Sequence, residues 1–355
     1  VRCRSPGPPP ASMRPRGANL VGASELCLDA LIALGPRPSQ EHVDMVLNLS
    51  PFDWWGSSTS VARCLNGLGM AQRFVTAGIL VRALTARGGR LDTLHYNIAV
   101  SAGAKWGRWE STMALIRAMG ANAVQRDTAT YNAAISACEK GRQWKAALAV
   151  FTAIEEDRIE RDTITFNAAI SACEKCGEWQ LGLRLFDDMV AERVNRDCIT
   201  YNAAISGCGK RGEWTAALEL LRAMDVESIA GDLITYNAAI SACSKGENWR
   251  TALDLFAWML EASVKKDAVT YNAAISACEK GSLWTRALDL FVVMKRDAVE
   301  TNVIAYSSAI SAFEKGGRWQ LALEFLAAMG KDRVERDTIS YSAAISACEK
   351  GGEWQ

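Results

Sequence analysis

A period of 35 residues runs through this chain, and no other feature restricts its fold as much. An aromatic residue recurs at Tyr96, Tyr131, Phe166, Tyr201, Tyr236, Tyr271, Tyr306 and Tyr341. A tryptophan recurs at Trp109, Trp144, Trp179, Trp214, Trp249, Trp284, Trp319 and Trp354. A lysine recurs at Lys105, Lys140, Lys175, Lys210, Lys245, Lys280, Lys315 and Lys350. Every step is 35 residues, without a slip across eight units. A fixed period of this size marks an array of stacked supersecondary units rather than one globular core.

One unit, residues 163–197, reads TITFNAAISACEKCGEWQLGLRLFDDMVAERVNRD. Asp162 and Thr163 stand where a helix N-cap belongs. Phe166, Ile170 and Cys173 share one helical face, and Trp179, Leu183, Phe186 and Val190 share another, widened by Leu185 and Met189. Gly177 between them suits a tight turn, and Arg193–Asp197 links to the next unit. The pattern predicts two helices per unit. Small residues such as Ala133/Ala134, Ala168/Ala169 and Ala203/Ala204 let neighbouring first helices approach closely. One hairpin cannot bury its own apolar face, but stacked hairpins bury a continuous one. The expected fold is all-α, an α-solenoid of helix-turn-helix repeats. The tryptophan reads as the largest buried element, a wedge between helices whose truncation costs roughly 3–5 kcal/mol.

The frame defines units at 93–127, 128–162, 163–197, 198–232, 233–267, 268–302 and 303–337, with an incomplete one at 338–355. One period back, 58–92 aligns Val61, Phe74 and Asp92 with the aromatic, tryptophan and terminal aspartate, and reads as a degenerate repeat. Residues 22–57 form a helical lead-in whose register is spoiled by Trp54–Trp55 and prolines. Residues 1–21, rich in Pro and Arg, are expected to lack structure and fit the remnant of a transit peptide. The chain reads as a fragment at both ends, so a catalytic domain could lie beyond residue 355. No apolar run is long enough to span a bilayer, and no membrane partner is expected.

Enzymatic constellations are missing. His95 has no matching Cys or acid at catalytic spacing. Cys173 and Cys176 make a lone CxxC; Cys173 belongs to the periodic series Cys138, Cys208, Cys243, Cys278 and Cys348 and reads as a small buried thiol. A zinc site needs further ligands, so neither metal nor cofactor is expected. What remains is a polar ladder. The residue after each aromatic is Asn97, Asn132, Asn167, Asn202, Asn237 and Asn272, then Ser307 and Ser342. The units end in Asp127, Asp162, Asp197, Asp232 and Asp267, then Asn302 and Asp337. Asparagine is a poor helix former, and six copies beside a hydrophobic position ask for a capping or a ligand role. Capping competes well for the aspartates, and less well for the asparagines, which lie deeper in the helix.

These residues resemble the pentatricopeptide repeat in its plain 35-residue form. The likeness is carried by the TYNAAISACEK first helix, the W..AL.LF..M second helix and the terminal aspartate. It covers residues 58–355 loosely and 93–355 strictly. The tetratricopeptide repeat, a protein-binding relative, has a 34-residue period and another Trp/Gly/Tyr order. The resemblance implies a right-handed solenoid that binds single-stranded RNA, one nucleotide per unit. It places base reading on the Asn/Ser and Asp/Asn ladders. It places base stacking on the apolar residue two before the aromatic: Leu94, Ala129, Ile164, Ile199, Ile234, Val269, Ile304 and Ile339. Ala129 is small and grips less. The periodic lysines, Lys105 through Lys315, would approach phosphates. Asn with Asp implies uracil, Asn272 with Asn302 implies cytosine or uracil, and Ser307 with Asp337 implies guanine. The implied target is near 5′-UUUUU(C/U)G-3′, pyrimidine-rich and chiefly U. Ala62 with Asp92 in the degenerate unit departs from this code.

Charge counts mildly against RNA: Lys+Arg and Asp+Glu are equal at 40 each, and nucleic-acid binders are more often basic. Two alternatives therefore stand beside a non-enzymatic RNA binder. One is a protein-interaction scaffold, which would have no reason to keep the ladder in register. The other is the guide portion of a nuclease or deaminase. The resemblance further implies an organelle, the chloroplast ahead of the mitochondrion, and a role in transcript processing, stability, editing or translation.

Overall fold

The computed structural model describes residues 18–50, 54–89, 91–261 and 264–352. Among them all regular structure is helical. The lead-in holds α1 (Ala18–Ala33), α2 (Gln40–Leu49) and a single 3-10 turn at Trp54–Gly56. Helical hairpins follow: α3 (Ser58–Met70) and α4 (Phe74–Ala86), α5 (Thr93–Lys105) and α6 (Trp109–Ala121), α7 (Thr128–Lys140) and α8 (Trp144–Glu156), α9 (Thr163–Cys176) and α10 (Trp179–Ala191). Then come α11 (Cys198–Arg211) and α12 (Trp214–Val226), α13 (Leu233–Lys245) and α14 (Trp249–Glu261), α15 (Ala268–Lys280) and α16 (Trp284–Arg296), α17 (Val303–Lys315) and α18 (Trp319–Lys331), and finally the first helix α19 (Thr338–Gly351).

The chain forms two compact bodies, divided between Ala172 and Cys173. In the first, α3 packs on α5 and α5 on α7. In the second, α11, α13, α15, α17 and α19 pack in succession. Within each body a second helix lies between its own first helix and the next one, as α14 lies between α13 and α15. This is the α-solenoid arrangement of stacked hairpins, with nearest-neighbour packing only.

Most of the regular first helices begin at a capping aspartate. Asp127, Asp197, Asp232 and Asp267 accept from the backbone N–H three residues on, and the threonine there bonds back to the aspartate N–H. This reciprocal capping satisfies two otherwise orphaned donors. The turns that close the hairpins use the left-handed backbone region at fixed places. Gly107, Gly177, Gly212 and Gly317 adopt it without steric cost, and Arg142, Glu247 and Ser282 adopt the same conformation at φ 53–62°.

The core differs from the expectation in one respect. Within the repeats the first-helix aromatics, not the periodic tryptophans, are the largest fully buried side chains: Tyr96, Tyr131, Phe166, Tyr201, Tyr271 and Tyr306 are at most 1% exposed. The second-helix phenylalanine of one unit meets the next unit's aromatic edge to face, as in Phe151–Phe166 at 4.9 Å, Phe186–Tyr201 at 5.0 Å and Phe291–Tyr306 at 4.7 Å. Such pairs add about 0.5–1.5 kcal/mol beyond area burial. Trp109, Trp144, Trp179, Trp214, Trp249, Trp284 and Trp319 are only half-buried. Each opens a second helix at the end of a hairpin, so only part of the indole is covered. Trp109, Trp214, Trp249, Trp284 and Trp319 lie against a glycine at the C-terminus of the following first helix. A β-carbon on Gly246 would fall 2.3 Å from Trp214 Cδ1 and 2.4 Å from the Gly212 carbonyl oxygen.

Upstream, α3 and α4 bury Val61 and Phe74 at the positions of the periodic aromatic and tryptophan. Trp54, thought to spoil the register, is fully buried and meets Trp55 at a 72° interplanar angle. Helix α1 starts at Ala18, inside the stretch expected to lack structure; the rest of that expectation, at 1–17, lies outside the described residues, as does Trp354.

Candidate functional site

The asparagine ladder and the aspartate ladder meet. Asn97 Nδ2 donates to both carboxylate oxygens of Asp127 at 3.0 and 3.1 Å. Asn132 does so to Asp162 at 3.2 and 3.3 Å, and Asn202 to Asp232 at 3.1 and 3.2 Å. Asn237 donates to Asp267 at 3.1 Å. Residues 30 apart in sequence meet because the aspartate caps the first helix of the next unit, directly beside the first turn that carries the asparagine.

A third ladder, unrecognised from sequence, completes the arrangement. Thr130, Thr165, Thr235 and Thr270 are fully buried. The Thr130 hydroxyl lies 2.5 Å from Asn97 Oδ1 and 2.7 Å from Asp127 Oδ1. Thr165 and Thr270 repeat this on Asn132 and Asn237 at 2.5 and 2.7 Å. The period that exposed the other ladders was present in every TYN and TFN triplet. Threonine in a helix's first turn is ordinary capping chemistry, so the sequence carries no separate sign of its bond to the preceding unit. The amide is thereby held in one orientation: Nδ2 toward aspartate, Oδ1 toward threonine. In Asn97, Asn132 and Asn237 one N–H and one lone pair remain, whereas Asn202 Nδ2 also donates to Cys198 Sγ at 3.6 Å. Burial pushes the carboxyls of Asp127, Asp162, Asp232 and Asp267 up, but hydrogen bonds from threonine and asparagine outweigh it and hold them below the usual carboxylate value.

These bonds correct the reasoning that only a ligand would keep the ladder in register. The aspartates are helix caps, and the asparagines join one unit to the next. Asn167, on α9, is buried, and Asp197 caps α11 through the Thr200 N–H at 2.8 Å. His95 occupies the threonine position of its unit; its ring pairs with Asp92 at 2.7 Å and reaches the Ser58 carbonyl at 2.9 Å.

The pattern breaks near the C-terminal end. Ala305 stands where the threonine would be, and Asn302 replaces the aspartate. Asn272 Oδ1 is buried without a hydrogen-bond partner. The Ser307 hydroxyl turns back to the Ile304 carbonyl at 3.2 Å. Asp337 caps α19 through the Ser340 N–H at 2.8 Å.

The residues two before the aromatic are exposed despite their apolar character. Leu94, Ile164, Ile199, Ile234, Val269 and Ile304 are 55–64% accessible. Nothing in the core requires aliphatic side chains there, one turn or less from the Asn/Asp pairs. A single exposed leucine is ordinary, but the same exposed position in every unit is not.

Seven of the eight periodic lysines fall into two groups. All eight are exposed and close the last turn of a first helix, where a cation suits the helix dipole. Lys210 pairs with Glu174 at 2.8 Å, Lys315 with Glu279 at 2.9 Å and Lys350 with Glu314 at 2.9 Å. Ser206 and Ser346 donate to Glu174 and Glu314 at 2.9 and 2.8 Å. The place of that glutamate, one unit back, is Gly69 for Lys105, Ala104 for Lys140, Gly209 for Lys245 and Ser244 for Lys280. These four lysines lack the acid. Among the described residues no cluster of His, Cys, Asp or Glu is suited to a metal ion, and no helix is long and apolar enough to cross a membrane. Burial pushes the Cys138, Cys173, Cys208 and Cys243 thiols up to about 11.

Comparison with known proteins agrees with this architecture. The PPR repeat family matches residues 161–210, 196–245 and 231–280; the pentatricopeptide repeat domain matches 114–175 and 289–350; a further PPR repeat matches 269–299. Together the matches tile residues 114–350. No match was found among curated protein sequences. The pentatricopeptide repeat protein PPR10 in complex with an 18-nt psaJ RNA element superposes with a TM-score of 0.59 at 17% identity, over 93% of this chain and 52% of that one. PPR10 from maize superposes with a TM-score of 0.55 at 20% identity, over 93% of this chain and 57% of that one. The chain thus spans little more than half the length of these solved chains. The shared 35-residue frame, the hairpin geometry and the tiling of repeat matches place the chain in the pentatricopeptide repeat family.

Proposed function

We propose that this chain binds single-stranded RNA, one nucleotide per repeat in chain order, with a preference for a pyrimidine-rich and chiefly uridine strand. The observation that carries the reading is the Asn/Asp ladder flanked by an exposed aliphatic residue in each unit. An amide fixed in orientation offers one donor and one acceptor, a match for a pyrimidine edge. The aliphatic side chains supply a surface for the base faces. PPR10, which shares the fold, was solved with RNA. By the resemblance, units Asn97/Asp127 to Asn237/Asp267 take U, Asn272/Asn302 takes C or U, and Ser307/Asp337 takes G.

The role proposed is non-catalytic: occupancy of a transcript in a plastid or mitochondrion, supporting its processing, stability, editing or translation. The hydrogen bonds within the ladder also suit a protein scaffold, so binding must be measured directly. Filter binding with poly-U against poly-A decides: strong poly-U and weak poly-A retention is expected, and equal or absent binding refutes the reading. Asn272→Ser should move the preference at that nucleotide from pyrimidine toward adenine.

A further inference from the structure

We propose that the cleft between α3 and α5 is a sequence-independent stacking site for one additional nucleotide, on the 5′ side of the nucleotide read by Asn97/Asp127. The inference rests on the RNA-binding reading and extends it to a site outside the pairing ladder. The cleft has a volume of about 390 Å³ and is lined by Asn66, Met70, Asn97, Ser101, Lys105 and Trp106. That is within the roughly 300–1,000 Å³ of small-ligand pockets.

Three departures from the repeat coincide here. The first is Trp106, at a position where five other units carry Gly141, Gly246, Gly281, Gly316 or Gly351. Those glycines lie against the preceding unit's tryptophan, where a β-carbon would come within 2.3–2.8 Å of the indole. Before Trp106 the preceding unit has Phe74, a smaller ring, so a large side chain is tolerated. The indole is 48% exposed, half anchored and half open. The second is Gly69, where Glu174 and Glu314 bind serine and lysine in their units and where, as at Ala104, Gly209 and Ser244, the acid is missing. Gly69 lets α3 approach Ala102 of α5, where a β-carbon would fall 2.5 Å from the alanine's own, and it leaves Ser101 and Lys105 without that acid. The third is Met70, in place of the periodic lysine and 72% exposed.

An indole platform, a polarizable methionine and an uncompensated ammonium fit the two faces of a nucleotide: an aromatic base and an anionic phosphate. Stacking on an aromatic side chain tolerates any base. The cleft shares Asn97 with the first reading pair, so a strand leaving that pair passes directly over it. A protein partner would have no need of a lone cation freed from its glutamate beside an indole at the edge of the ladder.

The test uses fluorescence anisotropy with the full chain and three oligonucleotides: UUUUUCG, the same strand with one added 5′ adenosine or uridine, and the same strand with an added 5′ abasic nucleotide. An added base of either kind should tighten binding by at least about fivefold over the abasic strand, the lower end of the effect of one stacked base. Trp106→Gly restores the residue common at this position and should erase that difference while leaving UUUUUCG binding unchanged. Lys105→Gln should weaken the base-bearing and abasic strands by the same factor. Binding that ignores the added base, or a difference that survives Trp106→Gly, would overturn this inference alone. No binding of any strand would overturn the RNA-binding reading with it. Self-association abolished by Trp106→Gly, seen in sedimentation, would assign the cleft to a second copy instead.

Discussion

Replacing Ala305 with threonine installs the one hydroxyl that the repeat pattern lacks at that position. In the regular units this hydroxyl lies 2.5–2.7 Å from the preceding unit's asparagine oxygen, as Thr130 lies from Asn97 and Thr270 from Asn237. Asn272 Oδ1 is buried without a partner because Ala305 offers none. An orphaned buried acceptor costs about 1–3 kcal/mol. Threonine in a helix loses about 0.5 kcal/mol against alanine, and its methyl is accommodated in the buried position that Thr270 occupies one unit earlier. Ala305→Thr should therefore stabilise the α15–α17 contact by about 1 kcal/mol. Thr270→Ala, the reverse change, orphans Asn237 Oδ1 and removes one arm of the Asp267 capping box. It should cost about 1–3 kcal/mol. Repeat arrays do not unfold as one unit, so the assay is native-state amide hydrogen exchange read at α15 and α17. About 1 kcal/mol corresponds to about a fivefold slower exchange of amides that open with this contact. A neutral Thr270→Ala together with a neutral or destabilising Ala305→Thr would refute the hydroxyl–amide argument. The same substitution has an RNA consequence. On the proposed RNA reading, an unpinned Asn272 amide would present either edge and serve C or U. Pinning it should shift that position toward U, measurable with paired oligonucleotides differing at one base.

Removing the positive charge of Lys140, Lys245 or Lys280 should weaken RNA binding and reduce the salt slope by about 0.7 for each phosphate that is no longer neutralised. Lys210→Ala and Lys315→Ala should do less, because Glu174 and Glu279 already neutralise those cations; equal effects in a salt titration would contradict the division. The carboxyls of Asp127, Asp162, Asp232 and Asp267 are held low by hydrogen bonds from threonine and asparagine, so the fold should lose stability in acid. A depressed folded value stabilises above the unfolded value of about 3.9 and is lost as pH falls through the folded value. Thermal midpoints should hold at about pH 5–7 by this reasoning and drop below about pH 4; a flat profile down to about pH 3 would count against it. Gly246→Ala should destabilise by about 1–3 kcal/mol through collision with Trp214 and the Gly212 carbonyl, seen as a lower urea midpoint. Gly352→Ala, with open space around it but a left-handed backbone, should cost only about 1 kcal/mol.

The sequence by itself determined the unit and its repetition. Period, helix pairs and capping aspartates are local properties, written within 35 consecutive residues and reinforced eight times. The exposed aliphatic row was also legible, through the family resemblance, because its spacing from the aromatic is fixed along one helix. Tertiary structure decided everything that depends on the distance between units. Stacking carries Asn97 to Asp127 and Thr130, so a ladder that looked free for a ligand is also an inter-unit bond. It moves burial from the tryptophan, at a hairpin end, to the tyrosine at the centre of the stack. It sorts identical lysines by whether the preceding unit offers a glutamate, and it brings Met70 and Trp106 to one cleft. Helix formation reads neighbours three and four residues away, whereas these contacts join residues about 30–36 apart, where only packing brings them together.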